Sequence, residues 1–188
     1  MNITFAGNKM TLLGNQVEAG QQAPAFKATK NDLSEFNSED LKGKVVVYSV
    51  APSLDTSVCA IQAKKFNHDA LELSDDIVIV TITEDLPFAQ ARFCANEDIA
   101  NLEMVSDYKE REFGEKYGFL IDELKLLARG VVVVDKEGVI QYVEYVPEVT
   151  NEVNFDAALE KVKELIWEKQ KLEDFPPAFF CVFFRKLL

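Results

Sequence analysis

The chain holds one histidine, His68, and three cysteines, Cys59, Cys94 and Cys181, among its 188 residues. That supply excludes a four-ligand zinc site built from paired Cys and His. No two cysteines stand in CxxC spacing, so a closely spaced redox dithiol is excluded as well. Basic residues are also scarce: Lys and Arg total 20 against 32 Asp and Glu, a formal net charge of −12. A surface that acidic repels phosphate backbones, and no nucleic-acid partner is expected. No apolar run approaches the roughly 18 residues of a membrane span. The opening MNITFAGNKM has neither the basic start nor the apolar core of a signal peptide. These absences lead to the expectation of a soluble, cytoplasmic protein whose cysteines start out reduced, with no membrane partner. What is present is a chain 48% hydrophobic and 28% charged, able to bury the core of one α/β domain.

The apolar pattern alternates between two periods. Ile3–Phe5 and Lys9–Leu13 read as the strands of an N-terminal hairpin, with Gly7-Asn8 and Gly14-Asn15 as turn chemistry. An extended unit over 25–35 leads into a capped helical turn at 37–41 that ends at Gly43. VVVYSV (45–50) and IVIVTI (77–82) are continuous β-branched runs suited to strands buried on both faces. Val58, Ile61, Gln62, Lys65 and Phe66 follow helical spacing, which predicts a helix from Ser57 to about Leu71. A helix over 86–96, a strand near Met104, a short helix over 111–117 and strands at 130–135 and 139–146 follow. Asp135-Lys136-Glu137-Gly138 joins the last two as a tight turn. An amphipathic helix from Asn154 presents Phe155, Ala158, Leu159, Val162, Leu165 and Ile166 on one face. The predicted fold class is α/β, a central mixed sheet flanked by helices on both sides, with an N-terminal hairpin.

The last residues differ in character. The predicted domain covers 1–168, and 169–188 form an extension with Phe175, Phe179, Phe180, Phe183 and Phe184, five of the chain's 14 phenylalanines. It carries Lys169, Lys171, Arg185 and Lys186 against Glu173 and Asp174, so it is locally positive. One reading is a docking or interfacial anchor. The favoured one is an adventitious read-through or frameshifted extension, since the helix from Asn154 already completes the domain.

Cys59 carries the chemistry that the pattern suggests. APSLDTSVC (51–59) lies between the first buried strand and the first long helix, so Cys59 falls in the first helical turn. Free backbone N–H groups and the helix macrodipole favour an anion there, which makes the thiolate a candidate nucleophile. Thr56 stands one turn back, within reach of the sulfur or of an oxygen bound beside it. Pro52 fixes the loop, and its ring is placed to shield the sulfur from bulk water. A Cys–His hydrolase is excluded, because His68 lies nine residues along the same helix, on its opposite side and roughly 13 Å away. A thiolate without a base suits attack on an atom that is already electrophilic, such as a peroxide oxygen.

PSLDTSVC resembles the P-x-x-x-T-x-x-C signature of peroxiredoxins, with Pro52, Thr56 and Cys59 in the defining positions. VVVYSVAPSLDTSVCAIQAKKFN, TEDLPFAQARFC, LLARGVVVVDKEGVIQYVEYV and the N-terminal hairpin together resemble the thiol peroxidase (Tpx) subfamily, of the atypical two-cysteine type, over about residues 2–166. The resemblance implies a thioredoxin-like fold and a peroxidase acting on hydrogen peroxide and organic hydroperoxides. It implies Cys59 as the peroxidatic cysteine and Cys94 as the resolving one, joined by an intramolecular disulfide. Arg129 would favour the thiolate and help hold the peroxide, Thr56 would bond the sulfur and the peroxide oxygens, and Pro52 would screen the site. It further implies reduction by thioredoxin, a homodimer, and no metal, haem, flavin or bound nicotinamide. The disulfide would close a loop of about 36 residues and constrain the unfolded chain by about 3.8 kcal/mol on the chain-entropy model. Two departures stand out: Ala95-Asn96-Glu97 replaces the subfamily's frequent Gly-Ala-Glu, and Cys181 has no counterpart. Two other readings remain open at this level, a redox sensor using the same cysteine pair and a membrane-surface protein acting through the Phe-rich tail.

Overall fold

A computed structural model describes residues 2–70 and 76–174, with side chains to Ile166. Its core is a seven-stranded mixed sheet of order β11-β10-β6-β7-β8-β4-β5. In chain order these strands are β4 (Lys27–Lys30), β5 (Glu35–Asn37), β6 (Val45–Val50), β7 (Ile77–Thr83), β8 (Glu103–Ser106), β10 (Gly130–Val134) and β11 (Ile140–Tyr145), while β1–β3 and β9 lie outside this sheet. The central trio β6, β7 and β8 is parallel. β10 and β4 close it antiparallel on either side. The all-buried VVVYSV and GVVVV runs pair with each other inside the sheet, where continuous β-branched stretches belong.

Alternation along these strands separates two apolar layers. Val45, Val47, Ile79, Val131 and Val133 face α1 (Ser57–Ala70) and α4 (Phe155–Asp174) through Phe66, Phe155, Ala158 and Val162. Lys65 lies 4.0 Å from the centre of the Phe155 ring, which ties these two helices together at their surface. On the same side, α2 (Pro87–Asn96) packs Phe93 and Cys94 against Leu54, Ala63, Ile99 and Met104. The opposite layer takes Val46, Tyr48, Val50, Val80, Ile82 and Val132 against α3 (Glu112–Lys116) and the segments around it. An aromatic cluster of Phe26, Tyr48, Phe113 and Tyr117 fills it, and Phe119 stacks on Tyr145. The predicted central mixed sheet, with helices on both sides, is what forms.

The N-terminal hairpin is shorter than its apolar pattern suggests. β1 (Ile3–Phe5) pairs with β2 (Asn8–Met10), but β3 (Leu12–Leu13) leaves the hairpin and pairs with β9 (Leu120–Ile121). The turn is Ala6-Gly7 rather than Gly7-Asn8, both with positive φ (50° and 78°), the backbone of a type I′ hairpin. Pairing with β9 draws the chain across the domain, where Gly14 approaches so closely that a Cβ would fall 1.8 Å from the carbonyl oxygen of Glu115. The turn at 37–41 is a 3₁₀ segment capped by Asn37, which accepts from Glu39 N–H at 3.1 Å. Asn154 caps α4 by accepting from Ala157 N–H at 3.1 Å.

α4 continues to Asp174, beyond the predicted boundary at 168. The five tail phenylalanines, Arg185, Lys186 and Cys181 lie outside the described residues, as does Leu71. Among the described residues no helix is long and apolar enough to cross a membrane.

Tyr145 locks the N-terminal segment to this frame: its hydroxyl donates to Tyr117 O at 2.6 Å and accepts from Val17 N–H at 2.8 Å. Tyr145→Phe leaves a buried donor and acceptor unmet, an expected loss of about 1–3 kcal/mol, read as a lower urea midpoint.

Candidate active site

The β6-to-α1 loop and the entry to β10 meet because of strand register. β10 runs antiparallel to β6 with Gly130 opposite Val50, so the residue before β10 lies beside the residues that leave β6. The first is Arg129 and the second begin the loop to Cys59. Gly130 permits the approach of the neighbouring strand: a Cβ there would fall 1.9 Å from the carbonyl oxygen of Glu144.

Cys59 is the third residue of α1, where its N–H has no intrahelical partner, and its side chain is wholly buried. Arg129 is only 1% exposed, and each face of its guanidinium is assigned. Nε donates to Val149 O at 2.8 Å, one Nη to Gln62 Oε1 at 2.7 Å and the other to Cys59 Sγ at 3.1 Å. Gln62 is fixed in turn by donating to Ser49 Oγ at 2.9 Å and Val50 O at 3.2 Å. Among the described ion pairs Arg129 has no carboxylate. A buried guanidinium is costly unless its N–H groups are answered, and the third group that answers this one is the Cys59 sulfur. Helix terminus and arginine therefore both bring positive charge beside the sulfur.

Thr56 Oγ1 sits 2.7 Å from Cys59 Sγ and 3.1 Å from Ser53 O, with a single hydrogen to donate between them. Pro52 is buried behind the loop. Thr56 also lines an open cleft of about 430 Å³ with Leu54, Ala60, Arg92 and Phe93, so it connects solvent to the buried sulfur. That cleft lies between the Cys59 loop and α2, the helix of Cys94. His68 is exposed and takes no part, as its helical spacing requires.

Cys94 is half-buried in the Leu54–Met104 cluster, with Asn31 donating to its sulfur at 3.7 Å. Burial pushes its thiol up, and the Asn31 contact only partly opposes this. Both Cys59 and Cys94 are free thiols, facing different neighbours. The structure thus brings Cys59, Arg129 and Thr56 together, buries Pro52 at the start of the same loop, and holds Cys94 apart on the adjoining helix.

Gln62, Ser53 and Asp85 were not singled out by sequence as site residues. Gln62 carried a signal: it is a polar residue one turn from Cys59 on the helix's buried face, where only a hydrogen-bond partner justifies it. Asp85 accepts from Ser53 Oγ and from Leu54 N–H, both at 2.7 Å, so the end of β7 fastens the loop.

A model of the family described as Redoxin matches residues 18–159. The chain belongs to the Redoxin family. Curated relatives include a thiol peroxidase of Halalkalibacterium halodurans, 47% identical over 86% of this chain and 97% of that protein. Another is a thiol peroxidase of Bacillus subtilis, 46% identical over 87% and 98%. A peroxiredoxin-like protein of Aquifex aeolicus superposes with a TM-score of 0.82 at 40% identity, covering 87% of this chain and 96% of that one. The chain is thus a thiol-dependent peroxidase of the peroxiredoxin type with a thioredoxin-like fold, as the sequence motifs led one to expect.

Two variants probe the support of this Redoxin site. Gln62→Leu leaves an Arg129 N–H and Ser49 without their partner, and about 1–3 kcal/mol of stability is expected to be lost in urea unfolding. Glu84, beside Asp85, buries its carboxylate without a hydrogen-bond partner among the described residues, and Arg111 stands off at 3.8 Å. Burial pushes it up to about 8, Asp107 and Asp85 add repulsion, and Arg111 opposes them. Burial likewise pushes Asp107 up to about 6. Each group holds its proton more tightly when folded, so the stability it contributes is complete below its ordinary carboxylate range. That contribution is lost as pH rises to about 6 for Asp107 and about 8 for Glu84. Urea midpoints are expected to fall from about pH 5 to about pH 8, and to fall less in Glu84→Gln.

Proposed function

We propose that this chain reduces hydrogen peroxide and organic hydroperoxides through a cycle shared by Cys59 and Cys94. The observation that carries this reading is the buried Arg129 guanidinium 3.1 Å from Cys59 Sγ. In the first step the Cys59 thiolate attacks the terminal peroxide oxygen and the O–O bond breaks. The leaving alkoxide, or hydroxide from hydrogen peroxide, takes a proton from solvent and departs as alcohol or water, and Cys59 is left as a sulfenic acid. Arg129 and the Thr56 hydroxyl are placed to stabilise charge developing on the peroxide oxygens, and the N–H groups opening α1 add their partial positive charge.

In the second step Cys94 attacks the sulfenic sulfur, releasing water and forming the Cys59–Cys94 disulfide. Unwinding of α2 is needed, and the end where that helix is lightly held is its first turn, since its far end is capped and its middle is bonded to the sheet through Gln90. Its N-cap, Leu86, makes no side-chain capping bond, and its first turn has no acidic residue. At its other end the chain turns through Asp98 in a left-handed conformation (φ 53°), with Ile99 N–H bonded to Cys94 O at 3.0 Å. Exposure on unwinding also removes the burial that suppresses the Cys94 thiolate. A dithiol reductant then supplies two electrons and two protons to restore both thiols. Thioredoxin is the proposed donor, a homodimer the proposed assembly, the cytoplasm the proposed location and antioxidant defence the proposed role.

Titration of the reduced protein with hydrogen peroxide, followed by intact-mass and peptide analysis, tests the cycle. Two thiols lost per chain and a Cys59–Cys94 peptide are expected. Cys94→Ser is expected to stop at sulfenic acid and advance to sulfinic acid with excess peroxide, while Cys59→Ser is expected to consume none stoichiometrically. A Cys59 that resists stoichiometric peroxide sinks the reading. Turnover with thioredoxin and its reductase, set against glutathione, identifies the electron donor.

A further inference from the structure

Asp85 occupies a position that the chemistry of the two cysteines does not by itself explain. It ends the turn after β7, and the next two residues, Leu86 and Pro87, start α2, the helix of Cys94. Its carboxylate reaches back across 31 residues to the Cys59 loop. Oδ1 accepts from Ser53 Oγ at 2.7 Å, and Oδ2 accepts from Leu54 N–H at 2.7 Å and from Thr83 Oγ1 at 3.0 Å. Its own N–H donates to Thr83 Oγ1 at 3.1 Å, and Ser106 Oγ donates to its carbonyl. Asp85 is therefore rigidly seated on the sheet, independently of the loop it holds.

The loop has few other anchors. Ser53 organises the turn that follows, since its carbonyl accepts from Thr56 N–H at 3.2 Å and its hydroxyl accepts from Asp55 N–H at 3.3 Å. Thr56 is the residue in contact with the Cys59 sulfur. A short chain of bonds thus leads from Asp85 through Ser53 to Thr56 and Cys59. Leu54, whose N–H enters the same carboxylate, packs in the cluster that contains Cys94.

We infer that Asp85 is a positioning residue that sets the balance between the rates of the two chemical steps. Its carboxylate clamps the Cys59 loop in the arrangement that reacts with peroxide, and it must release Ser53 and Leu54 before the two sulfurs can meet. The inference rests on the proposed roles of Cys59 and Cys94. It makes a distinction that a general structural prop does not: loosening the clamp slows the peroxide step but leaves disulfide closure as fast or faster. The competing outcome for the sulfenic acid is reaction with a second hydroperoxide, which transfers one more oxygen to sulfur, gives sulfinic acid and releases a second alcohol or water. A looser clamp favours the disulfide over that product.

The test follows both steps by stopped flow with hydrogen peroxide, together with the mass-resolved ratio of disulfide to sulfinic acid, in full-length wild type, Asp85→Ala, Asp85→Asn and Ser53→Ala. In Asp85→Ala the peroxide step is expected to slow at least about tenfold, equivalent to about 1.4 kcal/mol. Disulfide closure should not slow, and the sulfinic fraction at equal peroxide should fall. Asp85→Asn keeps an acceptor for Leu54 N–H and should recover most of the loss. Ser53→Ala removes the Oδ1 bond together with the long Asp55 N–H bond, keeps both bonds to Oδ2, and should show the same direction at smaller size, even where Asp85→Ala does not fold. An unchanged peroxide step, or equal slowing of both steps, overturns the inference. A wild type that forms no Cys59–Cys94 disulfide defeats the proposed cycle instead, and the two failures are thereby distinct.

Discussion

Burying a guanidinium is costly unless its charge is answered, and in this chain the answer is a sulfur atom. Arg129 spends two of its contacts on neutral oxygens, Val149 O and Gln62 Oε1, which orient it without neutralising it. The third goes to Cys59. Much of the surrounding architecture serves this contact. The β6–β10 register brings the arginine to the loop, Ser49 and Val50 hold Gln62, and the start of α1 delivers the sulfur with unpaired N–H groups around it. The contact that answers the buried arginine is thus also the contact made to the candidate nucleophile.

The second cysteine lives under the opposite regime. Cys94 is packed with apolar side chains and kept as a thiol by burial, on a helix whose first turn has no side-chain cap. The same Leu54–Met104 cluster packs both the Cys59 loop and this helix. The two cysteines thus sit in contrasting surroundings, one beside a buried guanidinium and the other among apolar side chains. A surface ion pair from Lys64 to Glu97 adds one more tie between α1 and the end of α2, of the modest strength typical of exposed pairs.

Much of this was legible in the residues. Long β-branched runs marked β6, β7 and β10, because a strand buried on both faces has no polar positions to spare. Cys59 was placed by the change from strand to helix period after Val50, and His68 was set aside by helical geometry alone. The N-terminal hairpin was misread at its far end for a physical reason. Leu12 and Leu13 satisfy local alternation equally well as an extension of β2, and only the partner strand at Leu120–Ile121, more than a hundred residues away, decides otherwise. Gln62 and Asp85 escaped notice for a related reason. A glutamine's or aspartate's role lies in what it bonds, and their partners sit on other elements. Arg129 was found through family resemblance, since nothing in its local sequence announces that its neighbour is a sulfur seventy positions earlier.

The register that seats Arg129 bears on how this protein can change over evolutionary time. The valines of β10 can exchange for other β-branched residues of similar volume, because their work is to fill space between two layers. Gly130 has no such latitude. Any side chain there would drive apart the backbones of β10 and β11, displacing the arginine one position away. A site without a metal-like anchor of its own thus inherits its precision from a hydrogen-bond ladder, and the residue that contributes no atoms to the chemistry is among the least free to drift.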